Sequence, residues 1–180
     1  SEVFAGVVYT FIGAALGTYA ILLMDASILA KIIPAMLVGI FIYTLLSPKM
    51  GEHDRHAYLG NHLFFLVFGI GLGFYDGFFG PGTGTFWTIA LVTLLGLNLK
   101  KATAQTKVMN FTSNIVSLCV FLWSGNVLFM VGLLMGFGQI IGAYIGSNMV
   151  IKKEVKFIRT FFLIMVGLTL LKLIYSSYFA

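Results

Sequence analysis

Five apolar runs, at about 3–24, 28–47, 102–123, 127–149 and 157–178, constrain this sequence more than any other feature. Each reaches the ~20 residues that carry a helix across a bilayer. Lipid offers backbone N–H and C=O groups no partner, so a spanning segment must be a helix or part of a closed barrel. Barrel strands alternate polar and apolar residues over ~10 positions, and these runs do not. Composition agrees: 59% of the 180 residues are hydrophobic and 9% are charged, against about 25% charged in a soluble domain. The expected fold class is an all-α polytopic membrane protein embedded in the lipid bilayer.

Residues 60–97 break this pattern. A run at 60–79 meets Gly77, Gly80, Pro81, Gly82 and Gly84, and a shorter run at about 84–97 follows. The region forms either two spans or a re-entrant hairpin. At membrane depth, broken helix is tolerated only where protein or a watery cavity surrounds it. The segment is therefore a candidate solute site. Glycine permits positive φ and close backbone approach, and Pro81 removes a donor and restricts Gly80. Free N–H groups at the start of the next helix favour an anion. A tight interhelical turn is the purely structural reading of the same residues. Thr83 and Thr85 can cap the second helix or donate to a ligand, and Tyr75 can donate to an anion.

Asp76 is the one acidic residue within the apolar runs. A carboxylate at mid-membrane costs ~2.5–3.5 kcal/mol on insertion scales, so it sits in a cavity or has a partner. Three roles compete: relaying a proton in coupling, capping a helix, and pairing with Lys107. On the helix expected over 102–123, Thr103, Lys107, Asn110 and Asn114 share one face. Gln105, Thr106, Thr112, Ser113 and Ser117 widen it. Lys107 can attract an anion or snorkel, while Asn110 and Asn114 can bind an oxyanion or tie helices together. Gln139, beside Gly138 and Gly142, reads as a helix–helix contact. Cys119 reads as a small core residue.

Other functions lack their residues. His53, His56 and His62 have no ligand spacing with Cys119, so no metal is expected. Gly80-Pro81-Gly82-Thr83-Gly84 lacks the lysine of a phosphate loop. No nucleophile–base–acid set points to an enzyme, and no cofactor is implied. The net charge of +5 lies mostly in polar breaks between apolar runs, which is a topology signal and not a nucleic-acid surface.

That charge orients the chain. Lys49 and Arg55, Lys100 and Lys101, and Lys152, Lys153 and Lys156 fall in segments 48–59, 98–101 and 150–156, which the rule for basic loops places in the cytoplasm. The C-terminus then faces outward. The ends of the chain also resemble each other. Gly13-Ala14-Ala15-Leu16-Gly17 matches Gly142-Ala143-Tyr144-Ile145-Gly146, and Met36-Leu37-Val38-Gly39-Ile40 matches Ile164-Met165-Val166-Gly167-Leu168. The first pair crosses in opposite directions, so the repeats are inverted. Gly13, Gly17, Gly77, Gly142 and Gly146 are read as packing positions. On this reading 1–47 holds the last two spans of a first repeat, 48–59 a cytoplasmic loop, and 60–180 a second repeat. The front of the first repeat, with its own glycine break, is expected before Ser1.

The run Gly73-Phe74-Tyr75-Asp76-Gly77-Phe78-Phe79-Gly80-Pro81-Gly82-Thr83-Gly84 resembles the repeated glycine-rich signature of the TauE/SafE sulfite exporter family. Ala102-Thr103-Ala104-Gln105-Thr106-Lys107, Asn110-Phe111-Thr112-Ser113-Asn114 and Gly138-Gln139-Ile140-Ile141-Gly142-Ala143-Tyr144-Ile145-Gly146-Ser147 follow in the family's order. The resemblance implies a bacterial inner-membrane permease for small sulfur-containing anions such as sulfite, thiosulfate or sulfonates, driven by an ion or proton gradient. It carries the break onto Gly77, Gly80, Pro81, Gly82 and Gly84, and the polar face onto Lys107, Asn110 and Asn114. A passive anion channel and a non-transporting assembly protein are the alternatives. A homo-oligomer is left open.

Overall fold

The computed structural model describes residues 2–46 and 57–152, with Ile164 and Leu168. Most of the 48–59 break, residues 153–156 and nearly all of the 157–178 run lie outside the described residues. The described chain is helical. It comprises α1 (Glu2–Leu22), α2 (Ala26–Leu46), α3 (Asn61–Phe64), a π-helical stretch (Phe65–Gly69), α4 (Ile70–Phe78), α5 (Thr83–Thr93), α6 (Leu99–Ser124) and α7 (Phe129–Lys152). Two segments, Val3–Leu22 and Phe129–Gly146, are long and apolar enough to cross a membrane.

One compact unit holds Ser1–Leu29 and Leu46–Ser124. Its centre is the pairing of α1 with α4, and glycine makes that pairing possible. A methyl group added at Gly73 would lie 2.7 Å from the Thr10 carbonyl oxygen, and one at Gly77 would lie 2.9 Å from Ala14 Cα. From the other side, a methyl at Gly13 would lie 2.8 Å from Phe74 N, and one at Gly17 would lie 2.9 Å from Phe78 N. Both helices thus carry glycine at i and i+4 on the touching face, the spacing that lets membrane helices meet backbone to backbone. Sequence assigns α1 to the first repeat and α4 to the second, yet they form one packed body.

Hydroxyls inside that body find partners across the helices, as a lipid setting favours. Thr18 Oγ1 donates to the Gly77 carbonyl at 3.1 Å and is 2.8 Å from Ser117 Oγ. Thr10 Oγ1 donates to Met109 Sδ at 3.4 Å. An aromatic core lies beside them: Phe64, Phe65 and Trp87 are buried with Leu91 and Met109, and Phe64 stacks on Phe68 with centroids 5.0 Å apart.

The eleven residues of α5 reach roughly 16 Å, about half of a hydrocarbon core. It ends in a turn through Gly96, whose φ is +68°. Asn98 then starts α6, accepting the Lys101 N–H on its side-chain oxygen at 2.9 Å, a helix N-cap. The buried stripe of α6 is Ala102, Thr106, Met109, Ser113 and Val116. Cys119 lies beyond that stripe and is exposed, which corrects the expectation of a core thiol.

The second unit holds Ala30–Leu45 and Gly125–Ala180. Within it, a methyl added at Gly136, Gly138, Gly142 or Gly146 of α7 would meet nothing within 4 Å. Gln139 is exposed. The packing expected of Gln139, Gly142 and Gly146 is not found among the described residues.

Candidate functional site

The site is the gap between α4 and α5. α4 stops because Phe79 and Gly80 both send their N–H to the Tyr75 carbonyl, at 2.8 and 3.2 Å. Gly80 then takes φ +87° and Gly82 takes φ +85°, values that cost an L-residue about 1–2 kcal/mol each. Pro81, between them, has no N–H to satisfy. The turn closes on itself: the Gly80 carbonyl accepts the Thr83 N–H at 3.2 Å and the Thr83 hydroxyl at 2.5 Å. The Thr85 and Phe86 N–H groups donate to the Gly82 carbonyl at 2.9 and 3.2 Å.

These bonds decide which backbone donors remain. Gly80, Thr83 and Thr85 are committed within the turn. The N–H groups of Gly82 and Gly84 find no backbone acceptor among the described residues. Both lie at the start of α5, where the helix dipole adds positive potential. Asn110 of α6 stands beside them, its Nδ2 3.1 Å from where a Cβ on Gly84 would sit. Its Oδ1 is buried with no protein partner. Asn110 thus stands next to Gly84 at the start of α5.

Asp76 lies on the other side of the turn. Ser113 of α6 donates to its carboxylate, and the Thr83 hydroxyl, which donates to the Gly80 carbonyl, lies nearby. Of the three roles expected for Asp76, pairing with Lys107 is not realised; the Ser113 hydroxyl holds it instead. Lys107 points elsewhere, lining an open groove of about 540 Å³ with Leu99, Lys100, Thr103 and Ala104. Asn114 is exposed.

Tyr75 also takes a different part from that of a free anion donor. Its hydroxyl donates to the Pro81 carbonyl at 2.7 Å, and its ring meets Phe79 and Phe86 edge-on, with centroids 5.9 and 5.4 Å apart. It braces the turn. Of the residues expected at the site, the structure brings together Tyr75, Asp76, Gly77, Gly80, Pro81, Gly82, Thr83, Gly84 and Asn110. It leaves Lys107 and Asn114 on the exposed side of α6.

Thr18 and Ser113 are the residues that sequence reading did not single out. Ser113 was one of several hydroxyls on a broad polar face, and the lysine and amides placed that face about 100° away from the buried one. The signal was present: Ala102, Met109 and Val116 recur at seven-residue spacing, and Thr106 and Ser113 fall on their stripe.

No metal-ligating group of three or more His, Cys, Asp or Glu residues occurs among the described residues. What remains is a helical, membrane-spanning chain in which the break between α4 and α5 is bounded by packed helices. The chain belongs to the sulfite exporter TauE/SafE family, which it matches over residues 1–173. It is 46% identical over 170 residues to a "Probable membrane transporter protein" of Haemophilus influenzae, covering 94% of this chain and 67% of that protein. It is 42% identical over 169 residues to the "Probable membrane transporter protein YfcA" of Escherichia coli, covering 94% of this chain and 63% of that protein. The chain thus spans about two thirds of these relatives. No solved structure matches it. The family's description is that of an exporter and not of an enzyme.

Proposed function

We propose that this chain forms about two thirds of a secondary transporter for a small sulfur-containing anion such as sulfite, thiosulfate or a sulfonate. The observation that carries the reading is the start of α5, where the Gly82 and Gly84 N–H groups have no backbone acceptor among the described residues and Asn110 stands next to Gly84. An oxyanion offers several acceptor atoms, and charge-assisted bonds to it are stronger than neutral ones. The start of a broken helix is where transporters of inverted-repeat design hold anionic groups. Lys107 contributes positive potential from the exposed side of α6, and Asp76 couples the movement to an ion or proton gradient.

The second wall of the site comes from the rest of the first repeat. The α1 motif with Gly13 and Gly17 is filled by α4, whereas its counterpart with Gly142 and Gly146 meets nothing within 4 Å among the described residues. In the full-length protein we assign that face to the equivalent glycine-paired helix of the first repeat. Transport then proceeds by alternating access in the bacterial inner membrane, with segments 48–59, 98–101 and 150–156 cytoplasmic and the C-terminus outside.

Gly84→Ala tests the site without touching charge. The added methyl would lie 3.1 Å from Asn110 Nδ2 and push that amide away. In full-length protein reconstituted in liposomes, the half-saturating sulfite concentration is expected to rise about tenfold, the equivalent of one charge-assisted hydrogen bond. Asn110→Ala should match it. Unchanged saturation in both variants would remove the anion from this end of α5.

A further inference from the structure

Asp76 accepts the Ser113 hydroxyl of α6, and the Thr83 hydroxyl of α5 lies nearby. Each of those hydroxyls also has an acceptor on the main chain. Ser113 Oγ is 3.2 Å from the Met109 carbonyl oxygen and 3.0 Å from that of Asn110. Thr83 Oγ1 is 2.5 Å from the Gly80 carbonyl oxygen. A hydroxyl carries one proton and two lone pairs, and its proton rotates to suit its neighbours.

The arrangement satisfies both forms of the carboxyl group. With Asp76 ionised, Ser113 donates to it. With Asp76 protonated, the new O–H needs an acceptor. Ser113 can then turn its proton to the Met109 or Asn110 carbonyl and present a lone pair. Thr83, already donating to Gly80, can present one as well. Neither state leaves a buried polar group without a partner, a condition native proteins rarely violate. A site for a hard metal cation would need several oxygens converging with lone pairs free. Here the nearby carbonyls are occupied: Tyr75 by two N–H groups, Gly80 by the Thr83 N–H and hydroxyl, and Gly77 by Thr18.

We infer that Asp76, Ser113 and Thr83 form a proton-binding site, in which Ser113 and Thr83 are positioning residues that serve the carboxyl in both protonation states. The proton comes from water and adds to one carboxylate oxygen; no other bond changes. The site's part in coupling rests on the transport reading above, but proton binding itself does not. Other titratable groups on the packed helices are Glu2, Tyr9 and Tyr19 of α1, Tyr75 of α4, and Lys100, Lys101, Lys107 and Cys119 of α6; α5 carries none.

Infrared difference spectra of the detergent-solubilised full-length protein, taken between acidic and alkaline buffer, test this directly. We expect a protonated-carboxyl band that is lost in Asp76→Asn. It should shift in Ser113→Ala and in Thr83→Val, and keep its position in Ser113→Thr, which restores the hydroxyl. The absence of an Asp76-dependent band, or a band that neither hydroxyl deletion moves, would overturn the inference. Sulfite flux measured on the same preparations separates the two readings. If the band behaves as expected and flux is absent, the transport reading fails and the proton site stands.

Discussion

Leucine at Gly17 or Gly77 is expected to destabilise the folded state severely, while leucine at Gly71 leaves it intact. All three glycines lie in helices of the same compact unit, so composition alone predicts no difference. The packing does. A Cβ at Gly17 would collide with the Phe74 carbonyl and lie 2.9 Å from Phe78 N, and one at Gly77 would collide with the Ala14 carbonyl. The obstacles are backbone atoms, which cannot rotate away as a side chain can. A Cβ at Gly71 would meet nothing within 4 Å. Overpacking typically costs about 1–3 kcal/mol, and a clash against helix backbone belongs at or above the upper end. At roughly 3 kcal/mol the ratio of folded to unfolded protein falls more than a hundredfold. Thermal unfolding of the purified full-length protein, followed by gel filtration in detergent, checks this. Equal stability for Gly17→Leu and Gly71→Leu would mean that α1 and α4 do not meet as described.

The second large effect belongs to the turn. Alanine at Gly80 and at Gly82 must adopt φ near +87° and +85°, at about 1–2 kcal/mol each, or the turn must rearrange. Rearrangement is costly for function because the same turn aims the Gly82 and Gly84 N–H groups. The expected result for the double variant is a protein that still inserts and keeps its helices but loses nearly all anion flux, since misplacing the donors by about 1 Å can cost a hundredfold. Circular dichroism and flux on the same liposome preparation separate the two effects. Wild-type flux in the double variant would show that the left-handed turn is not what positions the donors.

Much of this architecture was readable in the residues, for a physical reason. A helix in lipid needs a long apolar run, so residues 3–24 and 127–149 announced α1 and α7 directly. The break was equally legible, because Gly80, Pro81 and Gly82 combine conformational freedom with a missing N–H. Partner choice was not legible. Asp76 can pair with a lysine or with hydroxyls, and sequence favours neither. The choice depends on the rotation of α6 about its axis, and residues 106 and 107 lie about 100° apart on it. That single step separates Lys107, on the open groove, from the stripe that brings Ser113 to Asp76. Tyr75 shows the same limit: a phenol near a break can serve a ligand or brace the chain, and only the position of the Pro81 carbonyl decides.

Glycine likewise plays different parts at different positions. Gly13 and Gly17 draw notice by repeating as Gly142 and Gly146, which is a statement about symmetry. Their physical role appears only once Gly73 and Gly77 are seen against them. Under the proposed repeat, a face that is filled in one half calls for an equivalent partner in the other.

The proposed transporter moves a small sulfur oxyanion against its gradient through the break between α4 and α5. Reconstituting the full-length protein in liposomes, imposing a pH gradient, and measuring accumulation of sulfite, thiosulfate and taurine checks this. At least one of the three is expected to reach a concentration ratio above equilibrium, and Gly82→Ala is expected to return that ratio to the level of protein-free vesicles. Movement of all three only to equilibrium, or no movement beyond that of protein-free vesicles, would contradict it.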